Sequence, residues 1–385
     1  MIPKETVEKI YDATRIEEVI GDFVSLKKKG ADYKACCPFH NEKTPSFSVS
    51  TTKGIYKCFG CGEGGNAIDF VMRHETSSYP EALRYLASKY GIEIVEKELS
   101  PQEKESADQK ESLFIIHNYA LNYFKDYLFE QQEGKEVGLS YLRKRGYTDE
   151  TIHKFQLGYC PSKWDVFSTE AQEKGYKLSY LKESGLTKEK NEKLYDGFRG
   201  RVMFPILGVT GKCIGFGGRI LSSDTKAPKY INSPETSIYV KNKVLYGIFE
   251  AKRAMATLDN CFLVEGYTDV VSFFQAGVEN VVASSGTSLT DGQIKLIKRF
   301  TNNITILYDG DVAGIKASFR GIDLILAQGL NVKVVLFPEG EDPDSMAKKM
   351  SSEDLKEFIK QNSKDFILFK SELLAEETAN DPVKK

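Results

Sequence analysis

The chain has 385 residues, 41% of them hydrophobic and 28% charged, with a net charge of −2. That is the make-up of a globular chain of two or three domains. It excludes a largely disordered chain, a collagen and a small disulfide-stapled module. No uninterrupted apolar run is long enough for a bilayer, and the N-terminus has acids where a signal peptide needs an apolar stretch, so a cytosolic location is expected. From Gly197 to Lys243, eight Lys or Arg stand against two acids, Asp224 and Glu235, which suits a polyanionic partner.

In chain order, Lys4 to Ile20 has helical spacing and Phe23-Val24-Ser25-Leu26 reads as a short strand. Phe47–Ser50 and Ile55–Cys58 alternate as two hairpin strands around the turn Thr51-Thr52-Lys53-Gly54, and two helical pieces follow from Asn66 to Tyr90. Residues 97–112 contain almost nothing apolar and read as a flexible linker. An aromatic-rich amphipathic helix is expected from Leu113 to about Phe129. Paired strands follow around Val209-Thr210-Gly211, from Arg201 to Leu207 and from Cys213 to Leu221.

The last part alternates apolar strands (261–264, 278–283, 304–308, 332–337) with helices (269–276, 291–300, 313–326), the pattern of a doubly wound parallel sheet. The closing residues 351–385 read as helical with a polar end.

Seven cysteines in a reducing compartment point to metal rather than disulfides. Cys37-x2-His40 precedes Cys58-x2-Cys61 by seventeen residues, and the intervening hairpin can bring the pairs together. Three thiolates and one imidazole make a closed, structural zinc site. Cys36 could replace Cys37. Cys160, Cys213 and Cys261 read as core residues, and His74, His117 and His153 as ordinary helix or core histidines.

Acids follow three strands of the last part: Glu265, then Asp309 and Asp311, then Asp342 and Asp344. In a parallel sheet these strand ends share the edge where ligands bind. Clustered carboxylates suit Mg²⁺ or Mn²⁺, and a two-metal arrangement would activate a 3′-hydroxyl and stabilise a leaving pyrophosphate. Gly215-Phe216-Gly217-Gly218 lacks the spacing of a dinucleotide loop, and no segment fits a P-loop.

Several segments carry a resemblance. Cys37-Pro38-Phe39-His40 with Cys58-Phe59-Gly60-Cys61 resembles the zinc-binding domain of bacterial DnaG-type primases. Tyr141-Leu142-x-x-Arg145-Gly146, Phe155-x-Leu157-Gly158-Tyr159, Arg199-Gly200-Arg201-Val202-Met203-Phe204-Pro205-Ile206 and Lys229-Tyr230-Ile231-Asn232-Ser233-Pro234-Glu235-Thr236 are similar to that family's polymerase domain. Glu265-Gly266-Tyr267-x-Asp269 and Asp309-Gly310-Asp311-x-Ala313-Gly314 resemble the Toprim signature, which topoisomerases share.

The resemblance implies a mixed α/β chain: a CHC2-type zinc ribbon (1–96), a linker (97–112), an α+β basic subdomain (113–258), a Toprim sheet (259–345) and a helical segment (346–385). It implies a DNA-directed RNA polymerase that makes short RNA primers on single-stranded DNA, with the zinc domain reading the start site. Glu265, Asp269, Asp309, Asp311, Asp342 and Asp344 would hold two or more Mg²⁺ or Mn²⁺ ions. Arg145, Arg199, Arg201, Lys229 and Lys241 would contact template or ribonucleoside triphosphate. Strand alternation would put Arg199 and Arg201 on one face. The family works at the replisome with a replicative helicase and single-strand-binding protein. Its helicase-contacting helical domain is expected to be missing here, in a fragment or a short form. A Toprim nuclease would share the acids but not the zinc module. A DNA-binding zinc protein would leave the acids idle.

Overall fold

The computed structural model describes residues 2–75, 77–94, 100–221, 227–286, 289–308 and 321–371. The chain divides into two compact units, Met1–Glu105 and Ser106–Lys385.

In the first unit an antiparallel sheet runs in the order β1 (Lys27–Lys29), β2 (Asp32–Ala35), β3 (Phe47–Ser50), β4 (Ile55–Cys58), β5 (Gly64–Gly65). The alternation expected for the hairpin holds. Phe47, Val49, Tyr56 and Cys58 are buried, while Ile55 and Lys57 face solvent. The inner face packs on helices Lys4–Ala13, Ile16–Gly21, Ala67–His74 and Tyr79–Lys89 through Ile10, Val19, Ile20, Phe70, Leu83 and Leu86.

Two expectations change here. The first helix breaks at Thr14 and Arg15, both extended. The strand lies at Lys27–Lys29 rather than Phe23–Leu26. Phe23 and Val24 are consecutive apolar residues that both join the core, which a period-2 strand cannot do. The Phe23 ring sits 5.8 Å from Phe70 and 5.7 Å from Tyr85. The lysines instead make the exposed outer strand, where charge discourages edge pairing.

A helix runs from Pro101 to Glu130 across the boundary at Glu105, so the expected linker is helical from residue 101 onward; residues 95–99 lie outside the described set. The helix starts on a capping box. The Glu103 amide donates to Ser100 Oγ and the Ser100 amide to a Glu103 carboxylate oxygen. Pro101 is at the first helical position, and the run that follows is made of good helix formers despite its polarity. From Leu113 the same helix buries Leu113, Ile116, His117, Ala120 and Phe124.

An antiparallel sheet in the order β11 (Tyr230–Asn232), β10 (Cys213–Ile220), β9 (Arg201–Leu207), β6 (Gly158–Cys160) follows, beside the hairpin of β7 (Thr187–Lys190) and β8 (Lys193–Asp196). The glycines of β10 serve packing: a Cβ on Gly217 would lie 2.5 Å from Tyr267 Cζ.

The last sheet runs β13 (Val281–Ala283), β12 (Cys261–Val264), β14 (Asn303–Tyr308), β15 (Asn331–Leu336), β16 (Lys364–Asp365). Its first four strands are parallel, as the alternation of strands and helices implies, and β16 adds antiparallel. One face packs Ile304, Ile306, Val332 and Val334 against helices Ile248–Leu258 and Asp291–Lys298. The other packs Leu307, Val335 and Phe337 against Tyr267–Gln275, Pro343–Lys349 and Ser352–Asn362. The expected helix at 313–326 is described only from 321, where it is helical to 327. The closing segment is not one helix: it extends at Ser363 to form β16, and residues 372–385 lie outside the described set. Among the described residues no helix is long and apolar enough to cross a membrane.

Candidate functional site

Two clusters stand out, one in each unit. In the first, Cys37 follows β2 and Cys58 ends β4, while β3 pairs with both (Ala35↔Phe47, Phe47↔Cys58). The sheet thereby brings the two knuckles together, and the ligand atoms of Cys37, His40, Cys58 and Cys61 all lie within 4.8 Å of one another. Cys37 Sγ lies 3.8 Å from Cys61 Sγ, and Cys58 Sγ 3.8 Å from His40 Nδ1. Tetrahedral zinc with bonds of about 2.3 Å separates its sulfurs by about 3.8 Å, so the donor set fits that ion. Cys36 is exposed and outside the cluster, which decides the ligand for Cys37.

Burial pushes the Cys37 thiol up to about 12. At Cys58, hydrogen bonds from Ser46 and the Cys61 amide outweigh burial and bring the thiol down to about 6. Metal binding must therefore displace a proton from Cys37. Gly60 is confined by the site, since a Cβ there would lie 2.8 Å from His40 Nε2.

The second cluster is the carboxyl edge of the parallel sheet. Glu265, directly after β12, is exposed and its carboxylate has no hydrogen bond or ion pair among the described residues. β12 pairs in parallel with β14, which ends at Tyr308. Asp309 and Asp311 lie outside the described residues. Asp269 is half-buried at the start of helix Tyr267–Gln275, accepting from the Gly266 amide at 2.8 Å. Asp342 is exposed and caps helix Pro343–Lys349 through the Ser345 amide at 2.7 Å.

Asp344 departs from the expectation of an open metal ligand. It is 9% exposed. Its Oδ2 accepts from Arg145 Nη2 at 2.6 Å and Lys348 Nζ at 2.7 Å, and its Oδ1 accepts from the Ser272 hydroxyl. Two residues past the Asp342 cap, the helical turn points the side chain into the protein instead of along the edge. The same contact fixes Arg145, whose Nη1 lies 3.4 Å from the Tyr141 hydroxyl.

Arg201 also departs from its expected place. It is 6% exposed, and its guanidinium donates to the carbonyls of Gly218 (3.0 Å), Pro228 (3.0 Å) and Lys229 (3.3 Å). It anchors the start of the Lys229–Asn232 segment and offers little to a phosphate. Arg199 precedes β9 in a turn, so the alternation argument does not apply to it. Its guanidinium stacks 4.4 Å over the ring of Trp164, which is 44% exposed. Trp164 had no signal in the sequence beyond being the chain's single tryptophan. Arg219, also unassigned from sequence, lies over the rings of Tyr141 and Tyr230 and donates to the Tyr230 hydroxyl at 2.6 Å.

Lys229 is exposed. Lys241 lines a crevice with Asn232, Tyr239, Ser284 and Ser285. That crevice abuts the acid edge. The Ser285 amide donates to the Glu265 carbonyl at 3.1 Å, and Asn232 joins the Ser285 carbonyl to the Tyr267 hydroxyl.

A Cys3His ribbon preceding an acid-edged parallel sheet of the Toprim kind defines a class of zinc-bearing, metal-using nucleic-acid proteins. Family models match in the same order: a CHC2 zinc finger over residues 2–102, the N-terminal domain of the DNA primase catalytic core over 123–252, and a Toprim-like domain over 262–347. The DNA primase of Halalkalibacterium halodurans is 43% identical over 96% of this chain and 61% of its own length. That of Clostridium acetobutylicum is 42% identical over 92% and 58%. The crystal structure of the Aquifex aeolicus primase zinc-binding and RNA polymerase domains is similar at 37% identity and a TM-score of 0.63, covering 97% of this chain and 90% of that one. A DnaG primase catalytic domain bound to single-stranded DNA is similar at 36% identity and a TM-score of 0.63, over 69% and 86%. The chain belongs to the bacterial DnaG-type primase family. It spans about three fifths of the length of the curated relatives it matches.

Proposed function

We propose that this chain carries the primer-synthesising activity of its family, acting as a DNA-directed RNA polymerase on a single-stranded DNA template. The observation that carries the reading is that the Lys241 crevice abuts the strand end bearing Glu265, whose backbone carbonyl accepts from the crevice residue Ser285. A lysine-lined crevice beside an acid-bearing strand end suits a triphosphate held next to a metal-bound primer end. Glu265, Asp269, Asp309, Asp311 and Asp342 are the proposed metal-holding set. Divalent ions there, Mg²⁺ or Mn²⁺, would supply charge stabilisation at the attacking 3′-oxygen and the leaving pyrophosphate.

The chain's own groups do the rest. Lys229 and Lys241 hold triphosphate oxygens as point charges. Asn232, fixed by Tyr267, orients what enters the crevice. Arg199 on Trp164 offers a cationic aromatic surface to an unpaired strand. Asp344 keeps Arg145 in place. The proposed domains are a zinc ribbon at 1–96, a basic subdomain at 113–258, a Toprim sheet at 259–345 and a closing segment from 346, with residues 101–112 forming the start of a helix. The proposed setting is the bacterial cytoplasm at the replisome, with helicase and single-strand-binding protein as family partners.

The test is incubation with single-stranded DNA, four ribonucleotides and Mg²⁺. Short RNA products are expected. Template cutting, or binding without synthesis, would overturn the reading in favour of a nuclease or a non-catalytic binding protein.

A further inference from the structure

The zinc ligands rest on one carboxylate that no ligand motif contains. Glu42 lies two residues beyond His40 and is half-buried. Its Oε1 accepts from the Cys37 amide at 2.7 Å and the Ser46 amide at 3.0 Å. Its Oε2 accepts from the Ser46 hydroxyl at 2.5 Å and stands 3.2 Å from His40 Nε2. The Ser46 hydroxyl lies in turn 3.2 Å from Cys58 Sγ. One side chain thus touches the first knuckle at Cys37 and His40 and reaches the second through Ser46.

The imidazole geometry has a direct consequence. A neutral histidine carries its proton on one ring nitrogen and can bind a metal only with the other. A carboxylate at Nε2 holds the proton there and leaves Nδ1 as the donor. Nδ1 is the nitrogen turned toward Cys58 Sγ, 3.8 Å away. We propose that Glu42 is the positioning residue of the zinc site, fixing His40 as an Nδ1 ligand with its proton on Nε2. This inference stands apart from the polymerase reading, because its readouts are zinc affinity and ring protonation, neither of which requires activity.

Glutamine at position 42 is the informative change. It keeps the shape and one carbonyl oxygen but puts an NH₂ donor on His40 Nε2–H or on the Cys37 and Ser46 amides. To relieve the first clash the ring must move its proton to Nδ1, which removes the ligand. In the full chain, competition for Zn²⁺ against a chromophoric chelator should show Glu42→Gln binding about 10- to 100-fold more weakly than wild type. Affinity within twofold of wild type would overturn the proposal. A His40→Cys background separates orientation from simple bracing. A thiolate needs no tautomer, so adding Glu42→Gln there should cost clearly less affinity than it does beside His40, the remainder reflecting only the contacts to Cys37 and Ser46. An equal loss in both backgrounds would overturn the orienting role.

The wild-type protein gives a check free of any folding defect. With only four histidines, ¹⁵N-histidine labelling of the zinc-loaded chain resolves the His40 ring. Metal at Nδ1 and a proton on Nε2 are expected, and metal at Nε2 would refute the assignment.

Discussion

Asp344→Asn separates the two roles an acid at the sheet edge can play. If the side chain were an open metal ligand, the isosteric change would abolish synthesis and leave stability alone. In the structure its carboxylate is instead shared by Arg145, Lys348 and Ser272, with side chains 19% exposed at Arg145, 12% at Asp344 and 28% at Lys348. Removing one partner of a fully buried pair costs about 3–5 kcal/mol. Partial exposure screens the cations, and asparagine retains a hydrogen-bonding oxygen, which brings the expected loss to about 2–3 kcal/mol. For a unit of this size that corresponds to a fall in Tm of about 4–10 °C. Calorimetry without divalent metal is the assay, since metal would add its own stabilisation. An unchanged Tm beside lost synthesis would refute the reasoning and return Asp344 to the metal set.

Other outcomes follow from the same geometry. His117 is buried with its Nδ1 bonded to the Leu113 carbonyl, and burial lowers its pKa from 6.5 to about 4. A buried neutral histidine stabilises fully above its unfolded value and progressively less as pH falls toward its folded one. Wild type should therefore lose about 2 kcal/mol relative to His117→Phe between pH 7 and pH 5. Urea unfolding at the two pH values measures this, and a constant difference would contradict it. Arg201→Ala should lower stability by about 2–4 kcal/mol because three carbonyls lose their donor, whereas Arg199→Ala should leave stability unchanged and flatten the salt slope of single-strand binding by about 0.7. A reversed pattern in paired melting and binding titrations would undo both placements. Trp164, the single tryptophan, should be quenched by single-stranded DNA, and unchanged emission at saturation would remove it from the binding surface.

What the sequence made legible had local causes. Two close-spaced ligand pairs around an alternating hairpin leave few ways to fold, and apolar strands spaced by helices imply a parallel sheet. The helix from Pro101 was also written in the chain, as Ser100-Pro101-x-Glu103, but low hydrophobicity hid the cap. Asp344 and Arg201 were not legible in the same way. A carboxylate or guanidinium has the same letter whether it meets solvent or a buried partner. The partners here come from 72 positions away at Ser272, 199 at Arg145, and 17 at Gly218. Glu42 carries no mark in the sequence because it belongs to no ligand pair and meets the site only through Cys37, His40 and Ser46. Cys36 and Cys37 could be told apart only by burial.

The most direct test of the account is the rate of primer synthesis by Glu265→Gln at wild-type zinc content. Glu265 is the one described edge acid whose carboxylate is not engaged in capping or pairing among the described residues, so the change should leave Tm within about 1 °C. Loss of several kcal/mol of transition-state stabilisation predicts a fall of more than about a thousandfold in rate. Synthesis within tenfold of wild type by a folded, zinc-loaded variant would contradict the claim that this edge carries the chemistry.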